Sequence, residues 1–150
     1  MPSTYADASF LVSLYLRDSN SATAVALVQK ARHSLPLTSL QRHELRNALR
    51  LAVFRTKGMP VAITELDARN ALAQVDADLL SGNLVEVSLP WADAMVEAER
   101  LGRAYTMKLG VRGMDLLNVA AAVTTKAQTF LTFDGRQRAV AQAAGLHVRP

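Results

Sequence analysis

Residues 112–134 read RGMDLLNVAAAVTTKAQTFLTFD, and the fold follows from how this run is built. Residues 116–123 hold no charged side chain. A helix there is apolar around most of its circumference and belongs inside a layered α/β core. A short connection at 126–128 leads into the apolar run 129–133, which predicts a buried strand. Asp115 stands near one end of this pair of elements and Asp134 at the other. A carboxylate beside buried apolar structure is costly unless it caps a helix, finds a partner or binds a cation. Two more acids upstream, Asp7 and Glu44, stand in similar positions, and the four read together as one metal-binding cluster.

Working outward, residues 4–7 are a short strand candidate because a helix follows at once. Phe10, Leu11, Leu14 and Tyr15 have helical spacing over 9–16, and Asp7 or Ser9 can cap that helix. A polar loop at 17–21 precedes a second helix over 22–32. Residues 35–39 form a short strand that tolerates Pro36 at its start. Thr38 and Gln41 have capping-box spacing and open a long helix over 40–57, ended by Gly58 and Pro60. Thr64 and Asp67 repeat the device for a helix with Ala68, Leu72, Val75 and Leu79 as its stripe, stopped by Gly82.

A strand over 84–89 comes next, and Pro90 suits the first turn of a helix. Trp91, Met95, Ala98, Leu101 and Tyr105 line one side of that helix as far as Gly110. Beyond the organising run, a last helix over 136–144 ends at Gly145, and 146–148 is a final strand. Strands alternating with helices predict a mostly parallel sheet covered on both faces, here as one domain over 1–150. Ligands of such folds gather at the carboxyl ends of the strands, and Asp7 and Asp134 each directly follow a predicted strand.

Composition narrows the chemistry. Half of the 150 residues are hydrophobic and 20% are charged, which is the profile of a globular chain. No apolar run approaches the roughly 20 residues of a membrane span, and the start MPSTYADAS lacks the pattern of a secretion signal. The expectation is therefore a cytoplasmic protein with no membrane partner. With no cysteine, disulfides and thiolate zinc sites are excluded. A net charge of +4 suits a polyanionic partner. An aromatic fraction of 5% argues against RNA-binding folds that stack bases on exposed rings, so that phosphates and metal ions would do most of the holding. His33, His43 and His147 lack zinc-site spacing, and neither a Walker loop nor a nucleophile elbow is present.

Glu44 is the most informative acid. Leu40, Ala48 and Leu51 lie at i−4, i+4 and i+7 from it, which turns its carboxylate toward an apolar face. Asp115 can also cap its helix, with the Asn118 amide one turn on and facing the same way. Asp134–Gly135 also resembles a turn, and Asp7 a cap. No basic partner stands out beside these acids, so cations are their natural partners. An all-oxygen donor set selects Mg²⁺ or Mn²⁺. Paired hard cations on carboxylates are a standard means of cleaving phosphodiesters. Arg42, Arg46, Arg112, Arg136 and Arg138 flank the acids as candidate phosphate contacts. Crowding of like charges is expected to raise some carboxyl pKa values and to strain the metal-free state.

YADAS with Asp7 and Ser9, the mid-chain helical Glu44, RGMDLLNVAAAV with Asp115, and FLTFDGRQRAVAQAAGLHV with Asp134 together resemble the PIN-domain ribonucleases. They are most similar to the small VapC-type toxins of bacterial type II toxin–antitoxin pairs. The resemblance spans essentially the whole chain and is most specific in its C-terminal segment. It implies a Rossmann-like three-layer α/β/α sandwich and Mg²⁺-dependent endonucleolytic cleavage of RNA. Asp7, Glu44, Asp115 and Asp134 would be the catalytic and metal-binding set, with Ser9 and Thr132 as supporting polar groups. Relatives often carry His where this chain has Asn118, which bears on any substrate contact the imidazole would make. Family members are commonly homodimers silenced by a cognate antitoxin. Two other readings remain: a PIN-like module that binds RNA or protein without cutting, and an enzyme acting on small phosphate esters.

Overall fold

Helices and short parallel strands alternate through residues 3–150, the part of the chain described by the computed structural model; the first two positions lie outside it. In order these are β1 (Thr4–Ala6), α1 (Ala8–Tyr15), α2 (Ser21–Ala31), β2 (Leu35–Leu37), α3 (Ser39–Arg55) and α4 (Glu65–Ser81). There follow β3 (Leu84–Glu86), α5 (Trp91–Leu109), α6 (Gly113–Thr124), β4 (Thr129–Leu131), α7 (Gly135–Ala143) and β5 (His147–Arg149). Helix starts come from the side chains that the sequence singles out. Asp7 caps α1 through Phe10 N, and Thr38 and Thr64 each close a reciprocal capping box, with Gln41 and Asp67. Gly82, Gly110 and Gly145 end helices with positive φ of 79°, 63° and 87°, which a side chain would resist.

β4 lies between β1 and β5, and β2 pairs with β3; every ladder is parallel. The expected single sheet is therefore divided. β1 and β2 lie side by side without a ladder, and the Gln41 amide fills part of the gap by donating from Nε2 to the Ala6 carbonyl over 2.7 Å. The strand expected over 84–89 stops at Glu86. Its partner β2 turns into the α3 cap at Thr38, so Leu37 O takes one last amide from Val87 and no further partner exists.

Period-two alternation sends neighbouring strand residues to opposite faces. Tyr5 and Phe130 enter a core with Leu101, Val119, Ala120 and Val140 from α5, α6 and α7. Ala6, Leu37 and Leu131 enter a second core with Phe10, Leu45, Leu49 and Val75 from α1, α3 and α4. Two cores on opposite faces of the strands make the three-layer α/β/α sandwich. The run Val119–Ala122 is fully buried, as its lack of charge predicts. Gly102 lets α5 and α6 close on each other, since a Cβ there would lie 3.3 Å from Leu116 Cδ1.

The predicted stripe of α5 needs one correction. Ala94 and Leu101 are buried, whereas Trp91 and Met95 are 46% and 57% exposed. At its start the helix turns Ala94 to the core and Trp91 and Met95 to solvent, while Ala98, Leu101 and Tyr105 pack inward as the spacing predicts.

Candidate active site

Because all the strands run parallel, their carboxyl ends form one edge of the sandwich. Asp7 leaves β1 there and Asp134 follows β4. The β1–β4 register pairs Ala6 with Leu131, so Asp7 and Thr132 stand side by side just beyond the ladder. Asp7 is fully buried, and its oxygens are held from several sides. Oδ1 accepts from Ser9 Oγ at 2.6 Å and from Phe10 N at 2.9 Å, and Oδ2 accepts from Thr132 Oγ1 at 2.5 Å. The Thr132 hydroxyl in turn accepts from Asp134 N at 2.9 Å, and Ser9 Oγ accepts from Phe133 N at 2.9 Å. Ser9 and Thr132 thus stitch the end of β1 to the end of β4.

Asp134 caps α7, its Oδ1 accepting from the backbone of Arg136 and Gln137 at 2.8 and 3.2 Å. Its role as a cap and its position at the edge are compatible, because Oδ2 has no hydrogen-bond partner among the described residues.

Glu44 is half-buried on α3. It stands at the margin of the helix's core face, which is centred on Gln41, Leu45 and Leu49. Asn118 Nδ2 donates to Glu44 Oε2 at 2.7 Å, while Asn118 Oδ1 accepts from the buried Tyr5 hydroxyl at 3.0 Å. The Asn118 amide was expected beside Asp115, but it serves Glu44 instead, joining α6 to α3. Tyr5 is a member of this polar network that sequence reasoning missed, as it missed the separate bridge from the Gln41 amide to Ala6. The available signal for Tyr5 was a phenol on a three-residue strand otherwise aimed into apolar packing.

Asp115 is buried at the third position of α6, where Oδ2 accepts from Arg112 Nε at 3.2 Å and from Arg112 N at 3.4 Å. This corrects the expectation that no basic group stands beside the acids. Arg112 has turned back over its own helix start, an exchange favoured because the positive end of the helix and the guanidinium share one carboxylate. Among the other candidate phosphate contacts, Arg42 pairs with Glu86 and Arg46 with Asp76. Arg136 lies exposed beside the Asp134 cap, and Arg138 Nη2 donates to Thr132 O at 3.4 Å.

Electrically the acids form a chain. Glu44 feels the charges of Asp7 and Asp115, and Asp7 feels that of Asp134. Burial pushes the Asp7 carboxyl up to about 6, opposed by its Ser9, Thr132 and Phe10 donors, with the Asp134 charge adding to the rise. Burial also raises Glu44, opposed by the Asn118 amide, and the charges of Asp7 and Asp115 raise it further. The direction matches the expectation from crowding, but loss of water is the larger cause. Desolvation likewise drives the Tyr5 phenol far above its ordinary value, so that it is a permanent donor to Asn118.

Among the described residues, no three acidic or imidazole side chains are drawn into a preformed ligand cluster. The donor chemistry nonetheless suits a hard cation. Glu44 Oε1, Asp115 Oδ1 and Asp134 Oδ2 have no hydrogen-bond partner among the described residues, and Asp7 Oδ2 has one. Each carboxylate is anchored and oriented while keeping oxygen lone pairs available, as hard-cation ligands require.

Comparison with known proteins agrees with this architecture. The PIN domain profile matches residues 4–143. Among solved structures, the Mycobacterium tuberculosis toxin VapC20, a sarcin–ricin loop cleaving toxin, superposes with a TM-score of 0.66 at 21% identity, over 99% of this chain and 100% of that one. FitAcB from Neisseria gonorrhoeae gives 0.65 at 16% identity, over 98% and 96%. VapBC2 from Rickettsia felis, bound to a DNA fragment from its promoter, gives 0.62 at 15% identity, over 97% and 96%. Among curated proteins, none matches the chain's sequence.

Proposed function

The chain belongs to the PIN-domain family, and from that premise we propose that it is a Mg²⁺- or Mn²⁺-dependent endoribonuclease, the VapC-type toxin of a type II toxin–antitoxin pair. The observation that carries the reading is a chain of acids near enough to act on one another's charge, Asp134 on Asp7 and both Asp7 and Asp115 on Glu44, each anchored by its own donors and each keeping an oxygen that other described residues do not saturate. Cleavage of the sarcin–ricin loop by VapC20 supports RNA as the substrate class. The VapBC2 and FitAcB neighbours support an antitoxin partner. No helix among the described residues is long and apolar enough to cross a membrane. A cytoplasmic location, a homodimer and one PIN-like domain over 1–150 complete the proposal.

In this reading Asp7 is a direct metal ligand, and Glu44, Asp115 and Asp134 hold the ion directly or through water. A divalent cation bound there supplies Lewis acidity toward the phosphate and makes water a better nucleophile. The protein supplies positioning. Ser9, Phe10 N and Thr132 fix the Asp7 carboxylate, Asn118 fixes that of Glu44, and Arg112 fixes that of Asp115. Preorientation of this kind spares the reorganisation that long acidic side chains would otherwise undergo when charge is brought to them. Arg42, Arg46, Arg112 and Arg136 are the groups available to backbone phosphates.

The second reading, a PIN-like module that binds without cutting, draws on the absence of a preformed ligand cluster among the described residues. Cleavage of total RNA by the purified protein separates the two. The nuclease reading expects cutting with Mg²⁺ or Mn²⁺ that stops in excess chelator and in Asp7→Asn. Cutting that survives both treatments refutes metal-dependent chemistry at this edge, and RNA binding with no cutting under any divalent ion favours the module.

A further inference from the structure

Along the same strand edge, beyond the gap between β1 and β2, a groove of about 610 Å³ opens between the start of α3 and the start of α5. That volume is within the ~300–1,000 Å³ of sites that accept a small organic ligand. Ser39, Arg42, His43, Arg46, Glu86 and Trp91 line it. Nothing in the acidic site makes use of Trp91, the one tryptophan of the chain. It is 46% exposed at the first position of a helix whose buried face is built from smaller residues. An indole left against solvent beside two guanidinium groups has the chemistry of a stacking platform rather than of a core residue.

The groove and the acidic site share helix α3. His43, which lines the groove, directly precedes Glu44 on α3. β1 and β2 lie side by side, and Gln41 of α3 reaches from beyond β2 to the Ala6 carbonyl at the end of β1. Arg42 and Arg46 lie one helical turn apart on the groove side of α3, and their partners Glu86 and Asp76 are exposed carboxylates. Exposed ion pairs are weak in water, so a phosphate can replace either partner at little cost. A ring for stacking and two guanidinium groups for phosphates, on a groove that shares α3 with Glu44, favour a polyanion with planar bases.

Resting on the endoribonuclease reading, we propose that this groove is a nucleotide subsite for single-stranded RNA, where the base next to the scissile position stacks on Trp91 and Arg42 and Arg46 hold its phosphates. Trp91 is its own reporter. In chelator, where nothing is cut, titration with a short unstructured oligouridylate quenches tryptophan fluorescence in parallel with binding read by anisotropy. An abasic ribose-phosphate oligomer of equal charge quenches far less. Trp91→Ala lowers RNA affinity about five- to a hundredfold with an unchanged melting curve, and Trp91→Phe recovers most of it. The proposal is overturned by RNA that does not bind, or that binds without quenching. Equal quenching by the abasic oligomer, stronger quenching by an acidic peptide, or undiminished affinity in Trp91→Ala overturns it too. Cleavage is scored separately: a metal-dependent nuclease with a silent Trp91 refutes this subsite alone, and a responsive Trp91 without cleavage upholds it while refuting the nuclease.

Discussion

The Thr132 hydroxyl donates to Asp7 Oδ2 over 2.5 Å and accepts the Asp134 amide over 2.9 Å, so one side chain ties together two acids 127 positions apart. Replacing it by the isostere in Thr132→Val removes a charge-assisted donor from a fully buried carboxylate. A loss of about 1.5–3 kcal/mol in metal-free stability at neutral pH is expected, read from urea denaturation midpoints. Activity falls as well, because Asp7 is no longer fixed. Equal stability in Thr132→Val and the native protein would show the contact to be incidental.

Asp7 also gives the metal-free protein a definite pH dependence. Burial raises its carboxyl from 3.8 to about 6 in the folded state. Between those values the folded chain binds more protons than the unfolded one, so stability falls as pH rises and has lost its full share above the folded pKa. The loss is up to roughly 3 kcal/mol. Asp7→Asn should flatten this slope and raise the metal-free melting temperature at pH 8 but not at pH 4. A native profile rising through the same window would contradict the assignment.

Asp115→Asn is expected to behave otherwise. Crowding alone would make any of these acids a source of strain, yet Asp115 has the Arg112 guanidinium and amide on Oδ2. Neutralising it removes a favourable partner, so no metal-free gain should appear in thermal melts at pH 8, where Asp7→Asn shows one. A gain in both variants would restore repulsion as the dominant effect.

The Tyr5–Asn118–Glu44 relay makes a prediction about the cation. Asn118→Leu frees the Glu44 carboxylate and strands the Tyr5 hydroxyl, and loss of an orienting partner of this type weakens metal affinity about 10–100-fold. Tyr5→Phe, which spares the Glu44 contact but releases the far side of the amide, should give a smaller loss. Titration calorimetry with Mn²⁺ ranks the two, and the reverse order would mean that the relay does not orient Glu44.

How far the sequence carries is visible in these same residues. Capping is local, so Thr38 with Gln41, Thr64 with Asp67, and Asp7 ahead of α1 could be read directly, and with them the order of the elements. The charge-free run before β4 announced its burial, and Asp7 and Asp134 were placed at one edge by the parallel topology alone. What could not be read depends on the orientation of side chains between distant elements. Asn118 turns to Glu44 across 74 positions, and Gln41 bridges to Ala6 across 35. Arg112 reaches Asp115 by a rotamer choice. Trp91 shares helical spacing with Leu101, but a helix packed through Gly102 and Ala94 has no room for an indole.

The central claim is that Asp7, Glu44, Asp115 and Asp134 together capture a divalent ion. Its most direct measurement is the Mn²⁺ affinity of the native protein beside those of Asp7→Asn and Asp115→Asn, followed by electron paramagnetic resonance of free Mn²⁺. Saturable binding in the native chain, sharply weakened by each substitution although the two positions lie on different elements, is the predicted result. Native-like binding in both variants, or none in any of the three, would contradict it.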